Sequence, residues 1–284
     1  MTDISSSGIA NIRAKIRNGD VVSEKASPRL TPAKLPPGFR LIGPALVLLI
    51  WEAASRAGFL SPNTLAAPST ALKTGFEMLV DGSLLPHLAA SAARAYSGLF
   101  LGVITGVGLA LLSGLTRSGE ALIDGLVQIK RAVPTLALIP LVIIWLGIGE
   151  AMKVFLIFTA VLIPVYINTH AALRGIDIGH VELARTLGLT RAEFIRHVAL
   201  PGALPGFFVS LRLAVGLCWT ALVVLELVNT QTGIGYLMNR ARDWGQTEII
   251  VVGIIIYAVL GLVSDAVVRF IEGRALSYRR ALGS

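Results

Sequence analysis

Charge is scarce in this 284-residue sequence: Asp, Glu, Lys and Arg make up 15% of it, against 54% hydrophobic residues. A soluble chain of this size needs more polar residues to cover its surface. Here the apolar residues come in long blocks, so a bilayer is the expected solvent. Cysteine is nearly absent; Cys218 stands alone inside an apolar stretch, which excludes an intrachain disulfide and makes it a small packing residue. No Gly-x-x-x-x-Gly-Lys-Ser/Thr loop occurs, so this chain is not expected to hold ATP phosphates or their magnesium. Paired carboxylates and a nucleophile beside a base are missing too, which leaves no candidate enzyme site. His170, His180 and His197 lack a ligand spacing, and no metal site is expected. The net charge of +8 is scattered between apolar blocks rather than gathered in a patch, which argues against nucleic acid.

What the sequence does have is a series of apolar segments near membrane length. Crossing the hydrocarbon takes about 20 apolar residues in a helix, with a range of roughly 17–25. Six segments qualify as candidates. The first, 41–54, is short and carries Glu52. The second, 88–112, has Arg94 as its single charge, and the third, 121–146, is interrupted by Lys130, Arg131, Pro134 and Pro140. The fourth, 153–168, contains Pro164; the fifth, 204–228, contains Arg212 and Glu226; the sixth, 249–268, is nearly unbroken until Asp265. The fold class predicted is an all-α membrane protein of about six transmembrane helices.

Between the first two segments, 61–86 is amphipathic and carries Pro62, Pro68 and Pro86, as expected of a short interfacial helix with loops. The polar connection 229–247 carries Tyr236 and Trp244, aromatics that suit a headgroup layer. Residues 1–38, with their serines, prolines and interspersed charges, read as a flexible tail, 39–273 as the membrane domain and 274–284 as a second tail. Six spans put both tails on one side with the loops near 113–121 and 169–202. That side collects Arg117, Arg174, Arg185, Arg191, Arg196, Arg269 and Arg274 besides the basic residues of the tails, whereas the other holds Arg56, Lys73, Lys153, Arg240 and Arg242. The richer side is expected to be cytoplasmic.

Gly98, Gly102 and Gly106 recur every fourth residue in the second segment, with Gly114 two turns further on. Such a face lets a neighbouring backbone approach closely, either as static membrane packing or as a contact that slides.

The loop 176–201 carries the most information. Val181, Ala184 and Leu187 have helical spacing, and Gly188 breaks that helix. Thr190 is placed to cap a second short helix, with Glu193 completing a capping box. Phe194, Ile195 and Val198 form its apolar stripe, and Leu200-Pro201 is expected to end it. Two short amphipathic helices hinged at a glycine suit either a hydrophobic groove on a soluble partner or packing against their own bundle.

This loop resembles the "EAA" loop of binding-protein-dependent ABC transporter permeases: Glu-Ala-Ala, three residues, Gly, nine residues, then Ile-x-Leu-Pro. Glu182, Leu183 and Ala184 precede Gly188, and Val198, Ala199, Leu200 and Pro201 follow at the family's spacing. Leu183 for Ala and Val198 for Ile are mild departures. From about His87 to Asp265 the chain is similar to the subfamily importing alkanesulfonates, taurine and nitrate, and most like aliphatic sulfonate permeases. The stretches that carry this are 133–141, 145–147, 166–169, 200–205 and Gly233-Ile-Gly235.

The resemblance implies a type I ABC importer permease fold in the inner membrane and, as partners, two ATPase subunits that bind the ATP and magnesium. It also implies a second permease copy in a homodimer, an extracytoplasmic solute-binding protein and a small anionic substrate. The ATPase would dock on Glu182, Ala184, Arg185, Gly188, Phe194, Leu200 and Pro201. Arg185, Arg191 and Arg196 flank that ridge, either to pair with acidic groups on the ATPase or simply as part of a basic cytoplasmic loop.

Charges inside the apolar segments need a polar cavity or a partner, because burying one at bilayer depth costs at least about 2.5–3.5 kcal/mol. Lys130, Arg131 and Arg212 thus become candidates for a translocation path that attracts an anion, together with Trp219 and Glu226 of the fifth segment. The alternatives are pairing of Arg212 with Glu226 or Asp265, and simple core filling by Trp219.

Overall fold

The computed structural model describes Phe39, residues 42–228 and residues 230–277; the tail 1–38, Arg40, Leu41, Asn229 and the end of the second tail lie outside the described residues. The chain divides into two compact units, Met1–Leu48 and Leu49–Ser284. In the first, the described residues are Phe39 and the opening of α1 (Ile42–Arg56), and all of them are exposed.

α1 has 15 residues, fewer than a bilayer crossing takes, where the apolar pattern predicts a span over 41–54. Its apolar run stops at Glu52, and that carboxylate is used as a cap. It accepts from the Ser69 backbone N–H at 3.1 Å and from Ser69 Oγ at 2.7 Å, at the start of α2 (Pro68–Val80). Proline at the first helical position and a carboxylate at the N-terminus both favour a helix starting there. α2 falls within 61–86, as expected.

The remaining helices are α3 (Leu84–Leu115), α4 (Arg117–Ala132), α5 (Ile139–Leu146), α6 (Glu150–Arg174), α7 (Ile178–Thr186), α8 (Arg191–Phe194), α9 (Leu200–Leu227), α10 (Ile234–Asp243) and α11 (Thr247–Ala275). Among the described residues, α3, α6, the run Arg191–Leu227 and α11 are the 4 that are long and apolar enough to cross a membrane. A fifth span is broken: α4 and Thr135–Leu146 meet at 89°. Val133, the residue before Pro134, is extended (φ −92°, ψ 118°), because the proline ring disfavours helical backbone at the preceding residue. The break falls just before Pro134, as the sequence suggests.

Pro201 behaves differently. Instead of ending the second loop helix, Leu200-Pro201 opens α9, and the chain stays helical from Arg191 to Leu227. A five-residue π turn, Ile195–Ala199, precedes the proline. Proline cannot donate to the carbonyl four residues back, and a widened turn accommodates this without stopping the helix. α10 is a further departure: the sequence reading leaves 229–247 as a polar connection, yet Ile234, Gly235 and Ala241 form a buried stripe on a short amphipathic helix.

The bundle is organised around α3 against α6, its most extensive helix pair, with α9 packed on α6 and touching α3 as well. The glycine face of α3 makes the first contact possible. A Cβ at Gly98 would lie 2.5 Å from Ile157 Cγ2, and one at Gly102 would lie 2.6 Å from Val161 Cγ1 and 2.9 Å from the Phe158 carbonyl. Gly106 meets Val165 and Leu162 in the same way. No side chain fits on that face, and the stripe therefore serves close packing. Leu156, Val161, Leu222 and Leu225 fill the core beside it.

Candidate functional site

α7 and α8 lie where the chain passes from the end of α6 to the start of α9, so they form a projection at one end of those two long helices. The Asp177 side chain caps α7 by accepting from Gly179 N. The helix stops at Gly188, whose φ of +68° lies in the left-handed region that favours glycine. The expected capping box follows: Thr190 Oγ1 accepts from Glu193 N at 3.3 Å, and Glu193 Oε2 accepts from Thr190 N at 2.8 Å.

The two helices expose their apolar residues unequally. In α8, Phe194 turns inward against Leu173, Ala199 and Ala203, and Ala184 of α7 is buried as well. Ile178, Leu183 and Leu187 of the first helix and its C-terminal cap stand out at 72, 57 and 66% exposure. Half of the projection thus packs on its own bundle, and the other half carries an uncovered apolar surface bordered by exposed Glu182 and Arg185. Arg191 donates to the Leu115 carbonyl at the end of α3 (3.0 Å), which ties the projection to the bundle. Arg185 and Arg196 are exposed and enter no ion pair among the described residues. Leu200 is partly exposed and Pro201 half-buried at the start of α9.

The charges in the long helices fall into three different settings. Lys130 and Arg131 sit at the end of α4, just before the break, and line a cavity of about 380 Å³ between that break, α6 and α9. Thr135, Ile163, Leu217 and Thr220 also line it. Lys130 Nζ donates to Thr135 Oγ1 at 3.0 Å, which holds the ammonium beside the break. Arg212 is directed elsewhere: its Nε lies 3.3 Å from Asp265 Oδ1 on α11, and Glu272 is 3.9 Å away. The pairing with Asp265 occurs and the pairing with Glu226 does not. Trp219 is buried, donates Nε1 to Ser264 Oγ at 3.2 Å and meets Tyr96 and Tyr257 edge-on, so it fills the core of the bundle.

Glu226 is 1% exposed and lies at the centre of a polar node. Its carboxylate accepts from Arg94 Nη1 (2.6 Å), Ser91 Oγ (2.7 Å), Tyr257 Oη (2.8 Å) and the Gly235 backbone N–H (2.9 Å). Arg94, 4% exposed, also reaches Glu150 Oε1 at 2.8 Å and the Thr232 carbonyl at 2.6 Å. Buried Lys153 donates to the same Glu150 oxygen at 3.2 Å. Two cations and two carboxylates thus compensate one another, and four donors satisfy the deepest carboxylate, as a buried charge requires.

The node joins α3, α6, α9, α10 and α11. It also accounts for a glycine of the Gly-Ile-Gly stretch, because a Cβ at Gly235 would lie 2.5 Å from Glu226 Cβ. Sequence reading missed this node. The available signal was Arg94, the single charge of its segment, which had to find a partner; the partner lies 132 residues away.

The sequence and the fold have counterparts among known proteins. The family model described as "Binding-protein-dependent transport system inner membrane component" matches residues 98–277. A protein named as an aliphatic sulfonates transport permease, SsuC of Escherichia coli (strain K12), is 43% identical over 229 residues, covering 81% of this chain and 87% of the relative. The taurine transport system permease protein TauC of the same organism is 31% identical, with 81% and 86% covered. The crystal structure of an amino acid ABC transporter superposes with a TM-score of 0.58 at 17% identity, covering 70% of this chain and 97% of that one. That likeness extends to the fold, the type I importer permease arrangement. From the matched family model and the extent of the shared sequence, this chain belongs to the family of binding-protein-dependent transport system inner membrane components.

Proposed function

We propose that this ABC importer permease carries an aliphatic sulfonate across the inner membrane, drawing its energy from two ATPase subunits that bind the ATP and magnesium. The observation that carries this reading is the uncovered apolar surface of Ile178, Leu183 and Leu187, held on a capped and hinged projection. An apolar helix face in water calls for a groove on a soluble partner, and Glu182 and Arg185 beside it offer charges for orientation. Basic residues concentrate on the side of this projection and of the tails, which supports a cytoplasmic placement of all three.

A second copy completes a homodimer around the path, and an extracytoplasmic solute-binding protein delivers solute to the opposite face. Lys130 and Arg131 line the path through the cavity, where positive charge attracts an anion. Arg212, Trp219 and Glu226 act instead as structural partners of Asp265, Ser264 and Arg94. The sulfonate assignment draws support from the 43% identical relative named for aliphatic sulfonates.

Reconstitution tests the proposal: the permease with its ATPase and binding protein in proteoliposomes should hydrolyse ATP faster when an alkanesulfonate is added outside, and should accumulate it. Uptake that proceeds without nucleotide, or hydrolysis indifferent to every alkanesulfonate, would overturn it.

A further inference from the structure

The cavity beside the broken span is lined mostly by apolar residues, with its charged side chains confined to the break. Lys130, Arg131 and Thr135 line it at the break beside Val133, Pro134 and Leu136, and Ile163 of α6 and Leu217 of α9 line the facing side. Thr135 Oγ1 accepts from Lys130 Nζ at 3.0 Å, so its own proton is left to donate outward. Lys130 Nζ keeps two further protons for the same direction. On the facing side, Thr220 gives its hydroxyl proton to the Gly216 carbonyl at 2.9 Å, so that wall presents no comparable donor. Among the described residues no carboxylate lines the cavity. Its volume of about 380 Å³ falls within the range of roughly 300–1,000 Å³ typical of small-molecule sites.

We propose that this cavity holds the solute by both ends: Lys130, Arg131 and the Thr135 hydroxyl take the oxygens of a sulfonate head, and Ile163 with Leu217 take its alkyl chain. The permease itself then selects for chain length, in addition to whatever the delivering protein selects. This deepens the sulfonate-importer reading above and rests on it. The chemistry discriminates against the two nearest alternatives. Nitrate has no chain to lay against the apolar wall, and the ammonium of taurine meets two cations with no carboxylate to receive it. Each methylene taken out of water against that wall is worth about fourfold in binding.

Uptake of n-alkanesulfonates from methane- to octanesulfonate, in proteoliposomes holding the complete importer, tests this. Dividing variant uptake by wild-type uptake at each length cancels the preference of the delivering protein. Leu217→Trp, which fills the apolar wall, should lower hexanesulfonate uptake about tenfold more than it lowers methanesulfonate uptake. Lys130→Met should lower every length by a similar factor. Should Leu217→Trp fail to assemble, Leu217→Ala enlarges the same wall and should shift the ratio in favour of the longest chains. A ratio independent of chain length in the Leu217 variants, or uptake unchanged in Lys130→Met, would overturn the two-ended site while leaving sulfonate import intact. Absence of alkanesulfonate uptake by an ATP-hydrolysing wild-type importer would instead overturn the sulfonate reading, and this site with it.

Discussion

Removing Arg94 should cost far more than neutralising Glu226, although the two form one ion pair. Glu226 is fully buried, and its donors other than Arg94 are neutral: Ser91, Tyr257 and the Gly235 N–H. In Arg94→Met the carboxylate therefore loses its one cation. Breaking a buried pair in this way costs about 3–5 kcal/mol.

The reverse change is milder, because Arg94 retains Glu150, whose side chain is 61% exposed and open to water. Glu226→Gln weakens the charged hydrogen bonds but keeps the shape, at a cost of about 1.5–3 kcal/mol. The double variant no longer buries a lone carboxylate, so it should be more stable than Arg94→Met alone, which requires a coupling larger than the cost of Glu226→Gln by itself. Denaturant titration of the purified permease in a mild detergent, followed through the tryptophans, measures all four corners of the cycle. Two costs that add to within about 0.5 kcal/mol, or a Glu226→Gln variant less stable than Arg94→Met, would refute the view that Arg94 neutralises Glu226.

Gly102→Ala should destabilise the same preparation by about 1–3 kcal/mol through overpacking against Val161 and the Phe158 carbonyl; adding Val161→Ala should return part of the loss, and a neutral Gly102→Ala would contradict the close α3–α6 contact. Gly188→Val places a β-branched residue at φ +68°, which should cost about 1–2 kcal/mol locally and lower ATP-driven uptake without reducing membrane insertion; normal uptake would refute the hinge. Thr190→Ala removes the Glu193 N–H cap and should loosen the projection by about 1 kcal/mol, read as faster amide exchange over 190–194; unchanged protection there would count against the capping box as its anchor.

Local chemistry made part of this molecule legible. The Pro134 break, the Gly188 stop, the Thr190–Glu193 capping box and the glycine face of α3 all depend on residues within a turn or two of one another, and each appears where the sequence places it. Local reasoning failed where a distant partner or a variant helix geometry decided the outcome. Leu200-Pro201 looks like a helix end, yet a π turn carries the chain through it. The stripe of α10 is apolar only every third or fourth residue within a polar segment, and it acquires meaning from the groove it fills.

The sequence by itself determined the solvent of this protein and the character of its projection, because apolar run length and capping patterns act over short distances along one chain. The tertiary structure alone decided which intramembrane charges are available. Arg94 and Glu226 are spent on each other, Arg212 on Asp265, and Lys130 with Arg131 are left lining a cavity. Charges seek partners through space: Arg94 and Glu226, which lie 132 residues apart in sequence, are brought by their helices to 2.6 Å, and Arg212 meets Asp265, 53 residues on, at 3.3 Å.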